Sequence, residues 1–185
     1  SRPWQGVLLV TACYVATALA LSFPALLHLT TQVIGDGGDA GLFLWSIAWV
    51  QGWLTGQHAL FFTQQLLYPG GANLGWMTMA LPATAVAALL QPLFGLIGSY
   101  NLVLLAALVV NGLAMRHFAL ALGVGRNGAF AAGLVFLSSP YFVGQMLGHL
   151  NLMLGMGIPL FLAEVYNAVA HPTPRWPTFV RMGAW

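Results

Sequence analysis

Of 185 residues, 59% are hydrophobic and only 4% are charged, with a mean hydropathy of +0.84. A soluble domain carries roughly a quarter charged residues, so this chain cannot cover itself with a water-compatible surface, and lipid is the expected solvent for most of it. Five arginines, no lysine and three acids give a net charge of +2, too sparse for a nucleic-acid-binding face. The single cysteine, Cys13, rules out an intrachain disulfide and a cysteine-based zinc site.

The composition predicts an all-α, polytopic integral membrane protein, a single membrane domain over 1–185. The first apolar run, 6–29, is longer than a signal-peptide core and lacks a cleavage site, so it reads as a retained span. A long loop, 30–100, follows and opens on Gly35-Asp36-Gly37-Gly38-Asp39, which holds two of the three acids. Trp45, Trp49 and Trp53, four residues apart, predict a helix over 40–54 lying along the membrane interface. A plain aromatic belt at headgroup level is the simpler role for these rings. Tyr68-Pro69-Gly70-Gly71 is turn chemistry, with proline fixing φ and glycine permitting positive φ.

The segment 77–97 is apolar but interrupted by Pro82 and by Gln91-Pro92. Three further runs of spanning length follow, 101–122, 128–147 and 150–170, and 171–185 is a tail or the start of another segment. The positive-inside rule decides whether 77–97 crosses. If it does not, Arg2, the Arg116-to-Arg126 connection and the tail share the cytoplasmic side, while both aspartates, Gln145, His149 and Asn151 face out. If it does, four arginines move to the side opposite Arg2. The first arrangement is preferred, which gives four spans and makes 77–97 a re-entrant or interfacial helix, with a kinked ordinary span as the alternative.

The order of these motifs resembles a known family. An acidic first outer loop leads to an aromatic helix, then to Phe61-Phe62-Thr63 and Tyr68-Pro69-Gly70-Gly71-Ala72-Asn73-Leu74. A proline-broken helix, a Tyr100-Asn101 entry to the next span, an arginine-bearing turn, Ser138-Ser139-Pro140-Tyr141-Phe142 and Gly148-His149-Leu150-Asn151-Leu152 complete it. This resembles the N-terminal part of bacterial membrane glycosyltransferases of the GT-C superfamily. The resemblance implies a bacterial inner-membrane protein with the 30–100 loop outside. It also implies inverting transfer of a sugar from a polyprenyl-phosphate carrier to an acceptor.

Carried onto this sequence, the resemblance makes Asp39 the favoured base on the acceptor hydroxyl, with Asp36 positioning it or the acceptor. The same two carboxylates are the ligands if a divalent metal ion is used. His149, Gln145 and Asn151 become candidates for binding the lipid phosphate or a sugar hydroxyl, and His58, Tyr68 and Asn73 candidates on the loop. Each has a bland counterpart: Asp39 as the N-cap of the 40–54 helix, and His149 as a helix-end hydrogen-bond donor. Glu164, the one acid inside an expected span, is expected to pair with Arg116, His117 or His171. Arg116 and Arg126 are topology determinants facing anionic lipid. Complete enzymes of this superfamily are several hundred residues long, so the chain reads as an N-terminal fragment or a reduced relative. Two rival functions stand beside the enzyme: a non-catalytic subunit bound to other membrane chains, and a small transporter component.

Overall fold

The computed structural model describes residues 3–35, 38–170 and 176–184. Its elements are helices α1 (Pro3–Leu21), α2 (Ala40–Leu54), α3 (Leu81–Ala121), α4 (Arg126–Leu137), α5 (Pro140–Gln145), α6 (Gly157–Ala170) and α7 (Trp176–Ala184). A two-residue antiparallel pair, β1 (Phe62–Thr63) and β2 (Ala72–Asn73), is the strand content among the described residues. The fold is thus mostly helical. Two helical stretches are long and apolar enough to cross a membrane, Leu81–Ala121 and Leu150–Ala170.

Four spans are not shown: the expected 6–29 and 128–147 runs are interrupted as helices, and local chemistry explains both breaks. The expected 6–29 span stops as an α-helix at Leu21, and a 3-10 turn, Ala25–His28, follows Pro24. Proline has no N–H to continue the ladder. The expected 128–147 span divides at Ser138-Ser139-Pro140. There the Ser138 hydroxyl donates to the Leu134 carbonyl at 2.6 Å, ending α4, and Pro140 opens α5. The expected 150–170 span matches the Leu150–Ala170 stretch, within which a 3-10 turn over Leu150–Met153 precedes α6.

The segment 77–97 and the span expected at 101–122 are merged into α3, broken at Gly95. Gly95 sits at φ 71, ψ 173, a backbone state favouring glycine, three residues after Pro92 removes a ladder donor. The part after the break is roughly 39 Å long at 1.5 Å per residue, more than the ~30 Å hydrocarbon core.

The chain divides into two compact units: one gathers Ser1–Leu21, Leu105–Val143 and Leu154–Trp185, the other Ser22–Leu104 and Gly144–Met153. The first unit is built around Tyr14, which is fully buried on α1. Its ring stacks on Phe130 of α4 at 5.5 Å, and its hydroxyl donates to the Phe130 carbonyl at 3.0 Å. Gly112 of α3 and Gly133 of α4 leave the room for it. A Cβ at Gly133 would collide with the Tyr14 hydroxyl and come within 2.6 Å of the Gly112 carbonyl oxygen. Small residues let helix backbones meet this closely.

Gly133→Ala is therefore expected to destabilise the protein by about 1–3 kcal/mol through overpacking. Tyr14→Phe alone costs about 1 kcal/mol, the worth of one hydrogen bond. Because the hydroxyl is the nearest obstacle, the double variant should be less damaged than the two effects summed. Thermal unfolding of the four proteins in one detergent checks this, and strict additivity would contradict the packing.

Elsewhere in this unit, Glu164 on α6 is buried and accepts from Arg181 Nε on α7 at 2.7 Å. That bond raises the Arg181 pKa above its ordinary value. Arg181, not Arg116 or His117, is thus the partner this acid finds, and His171 lies outside the described residues.

Candidate functional site

The second unit carries the acidic loop. Its anchor is Asn101, a fully buried side chain on α3. The Asn101 amide nitrogen donates to the carbonyls of Leu29 at 2.7 Å and Gln32 at 2.8 Å, and its oxygen accepts from the Ile34 N–H at 2.9 Å. One side chain thus holds three backbone groups of the irregular stretch leading into the loop. Such a stretch needs outside partners wherever it is buried. Ile34 is itself buried, at 2% exposure.

Beyond Ile34 the loop lies against Leu147-Gly148-His149. Gly35 has φ 125, and a Cβ there would collide with the Leu147 carbonyl oxygen. Both the conformation and the space therefore call for glycine. A Cβ on Gly148 would lie 3.3 Å from the Asp39 nitrogen, so this glycine backs directly onto the end of the loop. Asp36 and Gly37 fall outside the described residues, and the role expected for Asp36 has no geometry here.

Asp39 occupies the N-cap position of α2, but its side chain makes no capping hydrogen bond. One carboxylate oxygen instead lies 3.7 Å from His149 Nε2. That is ion-pair range, longer than a hydrogen bond. Both side chains remain reachable from solvent, at 62% and 45% exposure for Asp39 and His149. The other ring nitrogen, Nδ1, is enclosed and without a partner. The tautomer with hydrogen on Nε2 leaves a lone pair rather than an N–H at that enclosed position. The loop and the 144–153 segment thus join two polar groups far apart in sequence.

The remaining expected residues are distributed differently. Gln145 supplies a backbone carbonyl to the N–H groups of Gly148 and His149. Asn151 lies in the following 3-10 turn. Among the described residues, neither side chain hydrogen-bonds Asp39 or His149. His58 stands near the opposite end of α2, stacked on Trp49 at 3.6 Å between ring centres, with a Cβ at Gly52 excluded by its Nε2. At about 1.5 Å per residue, Gly52 is roughly 20 Å along the helix from Asp39. His58 therefore does not join Asp39 at a shared ion. Asp39 and His149 offer two donors, and no group of three His, Cys, Asp or Glu able to hold a metal is found among the described residues.

Trp49 is not an interfacial anchor. It is buried at 6% exposure, stacks on Trp45 at 5.2 Å and donates its indole N–H to the Leu60 carbonyl at 2.8 Å. Trp53, at 43% exposed, keeps an open face. Around the Trp49–His58 stack is an open cleft of about 620 Å³, lined by aromatic Phe62 and Tyr68 and by the amides Gln57, Gln64 and Gln65. Tyr68 is 82% exposed. Asn73, by contrast, is occupied locally: its side chain accepts from the Gly75 N–H at 2.9 Å and caps the Leu74–Trp76 turn.

No protein-family model, curated protein or solved structure matches this chain.

Two features of the site escaped sequence reasoning. Asn101 was visible only as a polar residue opening an apolar run, a pattern that signals a buried hydrogen-bonding role when its neighbours are uncharged. The glutamines at 57, 64 and 65 carry no periodic signal: the turn closing α2 places Gln57, and the β1–β2 connection places Gln64 and Gln65 beside the aromatic rings.

Proposed function

We propose that this chain carries the acceptor-activating carboxylate of a GT-C-type membrane glycosyltransferase that takes its sugar from a polyprenyl-phosphate carrier. The observation that carries the reading is the Asp39–His149 pair at 3.7 Å, together with the order of motifs described above. Asp39 is the general base. As the acceptor oxygen bonds the anomeric carbon, the bond from that carbon to the carrier phosphate breaks and the hydroxyl proton passes to the carboxylate. His149, with a hydrogen on Nε2, orients the carboxylate.

The aromatic and amide cleft, roughly 20 Å along α2 from Asp39, suits a distant neutral sugar unit of an extended acceptor: rings stack against the apolar face of a pyranose, and amides both donate and accept toward its hydroxyls. Exposed apolar side chains such as Leu89, Leu93 and Ile158 are surface that a bilayer would cover. The proposed setting is the bacterial inner membrane, with the 30–100 loop outside.

The test is label transfer in proteoliposomes loaded with a polyprenyl-phosphate hexose radiolabelled in the sugar. The protein should release polyprenyl phosphate and pass label to a soluble glycoside acceptor, and Asp39→Asn should not. Equal label transfer by both proteins would sink the proposal. In the same assay with an oligosaccharide acceptor long enough to span that distance, Tyr68→Ala is expected to raise the acceptor KM about tenfold with less effect on kcat, as loss of a stacking surface should.

A further inference from the structure

A second cavity, of about 580 Å³, lies wholly within the other unit, between α1, the C-terminal part of α3 and the start of α4. Its polar lining is Arg116, Arg126 and Asn127, and its apolar lining includes Leu9, Val10 and Phe130. Neither of the acids among the described residues, Asp39 and Glu164, is among the lining residues. The Arg116 Nε is enclosed and has no hydrogen-bond acceptor. A buried donor is rarely left this way, and Arg116 lines a cavity with room for a partner to its guanidinium.

Two further observations give that partner a sign and a shape. Arg126 opens α4, a helix of 12 residues whose N-cap is Gly125, a residue with no side chain to cap it. Free backbone N–H groups and the positive helix end therefore add to two guanidinium charges, and all of these favour an anion. The apolar side of the cavity runs out onto α1, where Val7 and Leu9 are 48% and 68% exposed. A small inorganic anion would leave that side unfilled, whereas a chain of methylenes would cover it.

We infer that this cavity binds one anionic phospholipid, its phosphate between Arg116 and Arg126 and an acyl chain along Leu9 and Val10. Guanidinium groups bind phosphate oxygens through charge-assisted, often bidentate hydrogen bonds. The inference does not depend on the glycosyltransferase reading, since none of its residues belongs to the Asp39 site.

The test is lipid retention measured by native mass spectrometry on the whole protein in detergent. Dioleoyl phosphatidylglycerol and dioleoyl phosphatidylcholine are titrated separately, so that only the headgroup differs. The intact protein should bind one phosphatidylglycerol at least tenfold more tightly than phosphatidylcholine. Arg116→Gln and Arg126→Gln should each weaken the phosphatidylglycerol complex about five- to tenfold and leave phosphatidylcholine unchanged, with helical circular dichroism confirming that both variants fold.

Arg116→Lys keeps the charge but loses the planar fork of N–H donors, and should recover only part of the affinity. Inorganic phosphate at millimolar concentration should not displace the lipid. Equal affinity for the two lipids, unchanged binding in both glutamine variants, or displacement by free phosphate would each overturn the inference.

Discussion

Asp39→Asn is expected to lower sugar transfer by a factor of roughly 10²–10⁴, the usual contribution of a positioned general base. Asparagine preserves size and leaves α2 intact, because the Asp39 side chain makes no capping hydrogen bond there. What it removes is the proton acceptor and the negative charge facing His149. Folding and lipid partitioning should therefore be unchanged, and donor binding, read by equilibrium retention of the labelled carrier, should change by less than threefold. The loss belongs in kcat, since the proton moves only as the new bond forms.

His149→Gln is the informative companion. It retains a donor near the carboxylate while removing the imidazole, so a positioning role predicts a milder loss, on the order of tenfold to a hundredfold. If His149 were instead the base, the two variants would exchange magnitudes. Transfer by Asp39→Asn at the native rate would leave the carboxylate with no chemical role.

How much of this arrangement was legible beforehand depends on the range of the interactions involved. The helix over 40–54 is a local matter, readable from apolar and aromatic spacing, and α2 occupies those residues. The mostly helical character followed from composition, because a chain this poor in charge has few other ways to satisfy its backbone. Helix ends inside apolar runs were harder. Ser138-Ser139-Pro140 is a stop signal that hydropathy averages away, and the Ser138 hydroxyl bond to Leu134 becomes visible only with coordinates.

For the site, the sequence put Asp39 and His149 on one face by counting crossings, without bringing them together. Their approach depends on Gly35 and Gly148 fitting against backbone more than a hundred residues away in sequence, which no local pattern encodes. Trp49 shows the opposite failure. Its spacing matched an interfacial stripe, yet His58 and Trp45 enclose it, because stacking and a carbonyl for the indole N–H outweigh exposure at the headgroups.

The largest structural effect is expected at Asn101. In Asn101→Leu the volume is nearly kept, but the buried Ile34 N–H and the carbonyls of Leu29 and Gln32 lose their partner together. A buried group left without a partner costs about 1–3 kcal/mol. Since the two carbonyls lie on less buried residues and water can reach them, a total of about 3–5 kcal/mol is expected rather than the full sum. The damage should be local before it is global. Amide hydrogen exchange at Ile34 should rise by at least a hundredfold, while amides around Tyr14 in the other unit keep their protection.

Asn101→Asp separates the two halves of the clamp. It can still accept from Ile34, but it sets a carboxylate against two carbonyls, so the Ile34 amide should stay slow to exchange while the 29–32 turn loosens. Because Ile34 stands five residues before Asp39, loosening this stretch also frees the carboxylate from His149. Asn101→Leu should then lose sugar transfer even at temperatures where the protein remains folded. An Ile34 amide that exchanges at the native rate in Asn101→Leu would mean that the loop is held by other contacts, and the link from Asn101 to the Asp39–His149 pair would fall with it.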